Sequence, residues 1–220
     1  MVAAHQYIRA ETLAAAWEAS LKLFLNPDGL NRYDSRGEPC YEVEDLVLVI
    51  KHPDRAPRIS PLFPAQFVPL VDAFTDRLLA PQGKGERSVV NGRLFRWRRK
   101  RGAGDLNQLE TIVEQIRTNP NSRATIMGFW DPEQDLASAT PVGPLIAYFR
   151  ARSGRLNATL VTRSIDALNG ATAILVGFAA LQSAIALRIG LPSGQLTVLA
   201  LSYHVHDMDM PRVVDSLGRG

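Results

Sequence analysis

Two histidines and two aspartates crowd together near the end of the chain: His204, His206, Asp207 and Asp209. His204 and His206 alternate, and alternate side chains of an extended strand point the same way. Imidazole with carboxylate suits zinc, iron or manganese, although the sequence shows no third, distant ligand. The same pair can equally be structural. Upstream, Arg163-Ser164-Ile165-Asp166 runs into an apolar stretch, where an aspartate is well placed to cap a helix N-terminus. The run Arg96-Trp97-Arg98-Arg99-Lys100-Arg101 is basic with one aromatic. It reads first as a solvated loop between flanking glycines and only second as a nucleic-acid contact. Cys40 is the only cysteine, so no internal disulfide can form, and a small packed residue is the reading for it rather than a nucleophile. His5 and His52 are read as incidental.

These side chains need a frame, and the chain can supply one. It has 220 residues, 46% hydrophobic and 21% charged, with a net charge of +3. That suits one soluble domain over residues 1–220 with a sizeable core. The mild positive charge fits an anionic small molecule or a nucleic acid and establishes neither. A lone cysteine fits a reducing, cytoplasmic setting, and the first twenty residues show no apolar signal core. Glu11 to Leu25 and Gln66 to Leu79 read as helices. So does Asp105 to Thr118, where Leu106, Leu109, Ile112, Val113 and Ile116 share a face. Residues 31–40 read as turn-rich and residues 81–104 as a basic loop. Strand signals cover Asp45 to Lys51, Ala124 to Trp130, Pro144 to Arg150, Leu156 to Thr162 and Gln195 to His206. Ser153-Gly154 links two of them as a hairpin. Ala171 to Leu187 is shorter than the roughly 20 apolar residues that span a bilayer and carries Gln182 and Ser183, so a buried central helix is expected and no membrane contact. The class is α+β, around a large mixed, antiparallel-rich sheet.

Four blocks in order resemble thymidylate synthase and its deoxycytidylate hydroxymethylase relatives. Ser35-Arg36-Gly37-Glu38, with the strand ending in Lys51-His52-Pro53, is similar to the family's arginine-glycine phosphate loop. NGRLFRW at 91–97, a helix, and NPNSRATIMGFWDPEQDL at 119–136 resemble the family's helix, arginine turn and strand ending in Trp-Asn or Trp-Asp-Pro. TPVGPLIAYFRARSGRLNATLVTRSIDALNG at 140–170 stands where the family has Pro-Cys-His, two strands and Gln-Arg-Ser-x-Asp-x-x-x-Gly. LPSGQLTVLALSYHVH at 191–206 matches a strand that ends in Asp-x-His-x-Tyr. The likeness covers about residues 30–213.

The resemblance implies a thymidylate synthase-like fold and a homodimer that pairs through a sheet face and shares its active sites. It implies a pyrimidine 5′-nucleotide, or a nucleotide-like molecule, as ligand. Arg36, Arg163 and Ser164 would bind the phosphate in one subunit, with Arg123 reaching across from the other. Guanidinium groups suit this task, because their paired N–H donors match phosphate oxygens. His204, and His206 in place of the family's tyrosine, would hold the sugar hydroxyl. Asp166 and His204 would be the candidate catalytic groups, with Asp166 and Gly170 near the base. The pattern then breaks. The family's nucleophilic cysteine is Val142, followed by Gly143. Its base-reading asparagine falls at Ile174, and its second turn arginine at Ala124. Only Asp72 offers a general base near residues 66–74. The chain ends at Gly220, short of the tail that closes over folate. Folate is therefore not expected, no other cofactor or metal is assigned, and cysteine-thiolate methylation is excluded. What remains is a non-standard nucleotide-modifying enzyme, by analogy with antibiotic-pathway relatives. The alternatives are an inactive homologue that binds or regulates, and a His-dependent metalloenzyme.

Overall fold

The computed structural model describes residues 6–27, 30–35, 37–80, 88–98 and 104–218. The chain opens with β1 (Tyr7–Ala10), α1 (Leu13–Leu21), β2 (Asn31–Ser35) and β3 (Glu38–Ile50). Next come α2 (Val68–Leu79), α3 (Val89–Phe95), β4 (Trp97–Arg98), β5 (Asp105–Leu106) and α4 (Gln108–Thr118). Then β6 (Ile126–Gly128), α5 (Pro132–Asp135), β7 (Pro144–Arg152) and β8 (Arg155–Asp166) lead into α6 (Ala171–Ile189), β9 (Ser193–His206) and α7 (Met210–Leu217).

Seven strands form one sheet in the order β1-β3-β9-β8-β7-β6, with β2 also pairing with β3. β1 lies parallel to β3 and β8 parallel to β9, and the other pairs are antiparallel. The α+β reading with a mixed sheet is therefore correct. The β7–β8 hairpin turns at Ser153 and Gly154, with φ of 52° and 70°. Two left-handed residues in a row match the twist of the strands they join.

α6 is the core helix. Its apolar residues run all round because α2, α1 and α4 pack on it from outside while β8 and β9 lie beneath. By length and composition it could cross a membrane, but 56% of its most apolar window is buried inside the protein. Gln182 fits there because its amide donates to the carbonyls of Leu156 (2.7 Å) and Gly194 (3.1 Å). Its Oε1, also buried, has no hydrogen-bond partner among the described residues.

Three local expectations need correction. Residues 31–40 are not a polar turn region: Asn31 to Ser35 pair with Glu38 to Glu42 as an antiparallel ribbon. Cross-strand pairing there outweighs turn-forming composition. Residues 81–104 are not all loop, since Val89–Phe95 is helical with Ser88 as its cap, accepting from the Asn91 N–H at 3.1 Å. The short helix turns Leu94 and Phe95 into the core. Asp166 does not cap α6. The residue before that helix is Gly170, with no side-chain cap. β1 and α7 were not anticipated, being short segments with too few residues to show a period.

β8 and β9 meet closely at Gly194. A Cβ there would lie 2.1 Å from Asn157 Oδ1, which accepts the Gln195 N–H at 2.8 Å. Gly194→Ala should therefore break that bond and destabilise the protein by about 1–3 kcal/mol in urea unfolding.

Candidate functional site

Three strands change face at one level. Asp45 has φ of 51°, a left-handed conformation that aspartate tolerates better than most residues. Glu44 pairs with Ser202 and Leu46 with Ala200, so Asp45 stands opposite Leu201. Thr162 pairs with Ala200 and Ser164 with Ser202, so Arg163 stands at the same level. On one side of it the buried residues are even-numbered: Leu46, Leu48, Leu160, Thr162, Val198 and Ala200. Beyond it they are odd (Val43, Ile165, Tyr203 and Val205), with Cys40 near the start of β3 the exception. The even-numbered residues beyond the kink thus turn to the face that the helices leave uncovered.

Two cross-strand rows result, Glu44–Ser202–Ser164 and Glu42–His204–Asp166. His204 Nδ1 lies 3.2 Å from Ser164 Oγ, and its ring meets that of His206 edge-on at 5.2 Å. Burial pushes the His204 pKa down. The carboxylates of Asp166 and Glu42 oppose this but do not outweigh it, while His206 and Arg163 add to it. The ring is therefore neutral near pH 7, with one nitrogen donating and the other accepting.

Arg163 is exposed. Its backbone N–H donates to the Gly143 carbonyl at 2.7 Å and its guanidinium to the Pro141 carbonyl at 3.3 Å. It thereby brackets Val142, which is half-buried. The Asp166 carboxylate binds its own loop. Oδ1 accepts from the N–H groups of Leu168 (3.0 Å) and Asn169 (2.9 Å), and Oδ2 from the Asn169 amide (3.1 Å). Local N–H donors two and three residues on outcompete the helix end. Gly170 donates its N–H to the Asp166 carbonyl at 3.0 Å and lies tight against it.

The structure therefore gathers Arg163, Ser164, Asp166, Gly170, His204 and His206. Arg36 lies outside the described residues. Its neighbour Gly37 lines a cavity of about 290 Å³ with Glu38, Pro39, His206, Asp207 and Met208. Arg123 is not at this site within its own chain. It precedes β6, whose Ile126 pairs with Tyr148, and Arg152 donates to the Asn121 carbonyl at 3.4 Å. The site lies at the other end of β7, at Gly143 and Pro144, roughly 20 Å away along the strand.

The cluster at 204–209 does not converge as a metal site. Asp207 pairs with Arg32 at 3.0 Å and Asp209 with Arg212 at 2.7 Å. Among the described residues no three His, Cys, Asp or Glu are placed to hold a metal ion. Cys40 is buried beside His206 in register, and burial first, then Glu42 and Asp34, push its thiol pKa up. Asp72 is exposed on α2, next to the buried Val71, and Ile174 packs on the core. In the basic run, Arg96 and Arg98 are exposed while Trp97 is half-buried. Residues 99–101 lie outside the described residues.

Two features of the site were missed in the sequence. Glu42 enters only through the β3–β9 register, which no local signal encodes. The second is a buried ion pair. The Arg93 guanidinium binds the Asp135 carboxylate through both terminal nitrogens, at 2.5 and 3.1 Å, and also the Phe129 carbonyl. Asp135 further accepts the N–H groups of Asp131 (2.7 Å) and Val142 (3.4 Å). Burial raises its pKa, and these donors, Arg93 foremost, more than reverse that, holding the carboxyl below the usual range. Gln108 ties the Arg93 carbonyl (2.9 Å) to the Gly128 carbonyl (2.7 Å). This network shapes the loop that carries Val142.

A family model described as thymidylate synthase matches residues 72–220. The chain is similar to "Putative thymidylate synthase" of Methanosarcina barkeri, 27% identical over 94% of this chain and 92% of that protein. It is similar to thymidylate synthase of Listeria monocytogenes serotype 4a, 27% identical over 81% of this chain and 57% of that protein. It is also similar to thymidylate synthase of Cereibacter sphaeroides ATCC 17029, 34% identical over 67% of this chain and 51% of that protein. The match thus spans little more than half of these two bacterial enzymes.

His204 should titrate below the ordinary value of 6.5 in an NMR titration. Asp166→Asn should lower it further, because it removes the foremost neighbour that favours the charged ring. As pH falls below about 6.5 the unfolded ring protonates first, so the protein should lose stability there. His204→Gln should flatten that part of the stability curve.

Proposed function

The chain belongs to the thymidylate synthase family, and from that premise we propose that it binds a pyrimidine 5′-nucleotide, or a close analogue, without thiolate chemistry. The observation that carries this reading is the cluster of Arg163, Ser164 and the neutral His204 toward one end of the two central strands, β8 and β9. A guanidinium and a hydroxyl suit a phosphate, and a neutral imidazole suits a sugar hydroxyl without repelling the arginine. In this reading Arg36 joins the phosphate site, and His206, Asp166 and Gly170 line the sugar and base side. Val142 offers no lone pair to attack a ring, and the buried Cys40 stays protonated. The reaction is then a modification that uses no protein thiolate, in specialised nucleotide chemistry, and no folate is assigned to it.

The same reading places two copies face to face. The uncovered sheet face carries cross-strand rows of Tyr7, Val47, Leu199, Val161 and Ile146, and of Thr197, Thr159, Tyr148 and Ile126. Tyr7 is 60% and Ile126 48% exposed. Such a face calls for a partner. A second copy seated there borders the site, since the kink turns the site residues to the same side. That copy supplies Arg123, which its own chain holds far from its own site.

A second reading, binding without turnover, is favoured by a specific pair of residues. Val142 and Ile174 are both aliphatic where the family reacts and reads. Turnover of any nucleotide by the pure protein, abolished by Arg163→Ala, would eliminate it.

In calorimetry with CMP, dCMP, UMP and dUMP, at least one should bind, and Arg163→Ala should weaken it by about tenfold or more. No binding by any of them, with wild type and variant alike, would overturn the proposal. Sedimentation should give a dimer, and Leu199→Arg on the uncovered face a monomer.

A further inference from the structure

With Ile174 on the core, the site lacks an amide where its relatives read the ligand's ring. Another amide stands at the rim. Asn169, exposed in the loop between β8 and α6, donates from one nitrogen to two carboxylates, Asp166 Oδ2 at 3.1 Å and Asp209 Oδ2 at 2.9 Å. The two ends of an asparagine amide are easily interchanged in a structure, but here chemistry settles them. Reversal would set the carbonyl oxygen against two anions. The nitrogen is thus spoken for, and Oδ1 is left as an acceptor. Among the described residues no group donates to it.

Asp209 is itself anchored. Its Oδ1 accepts from Arg212 at 2.7 Å, and the Arg212 guanidinium lies 5.3 Å from the Phe67 ring centroid, within cation–π range. The chain Phe67–Arg212–Asp209–Asn169–Asp166 therefore joins α7 and the start of α2 to the loop after β8. Its far end is Asp166, paired in register with His204. An acceptor held this firmly offers a ligand one kind of contact.

We propose that Asn169 is the residue that reads the heterocycle, its Oδ1 accepting a ring N–H or an exocyclic amino group, with Asp209 as the positioning residue that fixes the amide. This rests on the nucleotide-binding reading above and names its base contact. A ring presenting only acceptors or a methylated nitrogen is rejected, because Asn169 has no N–H left to turn toward it.

The test compares wild type, Asn169→Leu and Asp209→Asn in calorimetry. The probes are the four pyrimidine monophosphates and, as base-free controls, ribose 5-phosphate and deoxyribose 5-phosphate. Asn169→Leu should weaken the best nucleotide by about tenfold and leave the sugar phosphates unchanged. Asp209→Asn takes away one of the two carboxylates that hold the amide, leaving Asp166, and should weaken the nucleotide in the same selective way but by less. It also serves as the second variant should Asn169→Leu fail to melt cooperatively. Equal nucleotide affinity in wild type and both variants would overturn this inference alone. So would an equal loss for nucleotide and sugar phosphate, which would mark a structural role. A wild type that binds sugar phosphate but no nucleotide would overturn both this inference and the nucleotide reading it rests on. A wild type that binds neither would overturn the nucleotide reading with it, and would show this before any variant is made.

Discussion

The site exists because three neighbouring strands change face at the same level. A strand alternates, so a residue that faces solvent at one end cannot do so at the other without a break in phase. Asp45 supplies the break on β3 through its left-handed backbone, and Leu201 and Arg163 stand level with it on β9 and β8. If one strand kinked alone, its neighbours would lose register. Because all three kink together, the ladder continues and whole rows of side chains are carried across. Ser164, Asp166, His204 and His206 owe their common face to this, and Tyr203 and Ile165 owe it their burial.

Much of this frame was legible in the sequence because long elements carry clear periods. The helix expected from Asp105 showed its apolar stripe from Leu109 onward, although Asp105 and Leu106 pair as the short strand β5 and α4 begins at Gln108. The run from Ala171 showed a helix apolar enough to be central. The last strand was visible as far as His206, and the alternation of His204 and His206 gave their common direction. The kink was not legible. It depends on one residue's φ and on a register shared by three strands far apart in sequence. Glu42 was hidden for the same reason. Arg93 was read as part of a basic loop because charge usually means solvent, yet it is 7% exposed and paired. Asp166 was read as a helix cap, and the loop's own N–H groups took its carboxylate first.

The electrostatics favour recognition of an anion over attack on it. Burial keeps His204 neutral, so Arg163 is not opposed by a second fixed cation on the ring. The thiol of Cys40 is pushed toward its protonated form. Neither side chain at 142 or 174 can donate, accept or add. The polar groups that remain are, in the reading proposed above, the ones that would meet a ligand's phosphate, its sugar and one ring edge.

The ion pair between Arg93 and Asp135 has a consequence for how this mouth tolerates change. It fixes the 131–142 loop through backbone groups: the Phe129 carbonyl and the N–H groups of Asp131 and Val142. Backbone anchors do not ask which side chain sits on the anchored residue. Position 142 is therefore mechanically insulated from its own identity. A substitution there would change the chemistry at the mouth and leave the architecture around it unmoved.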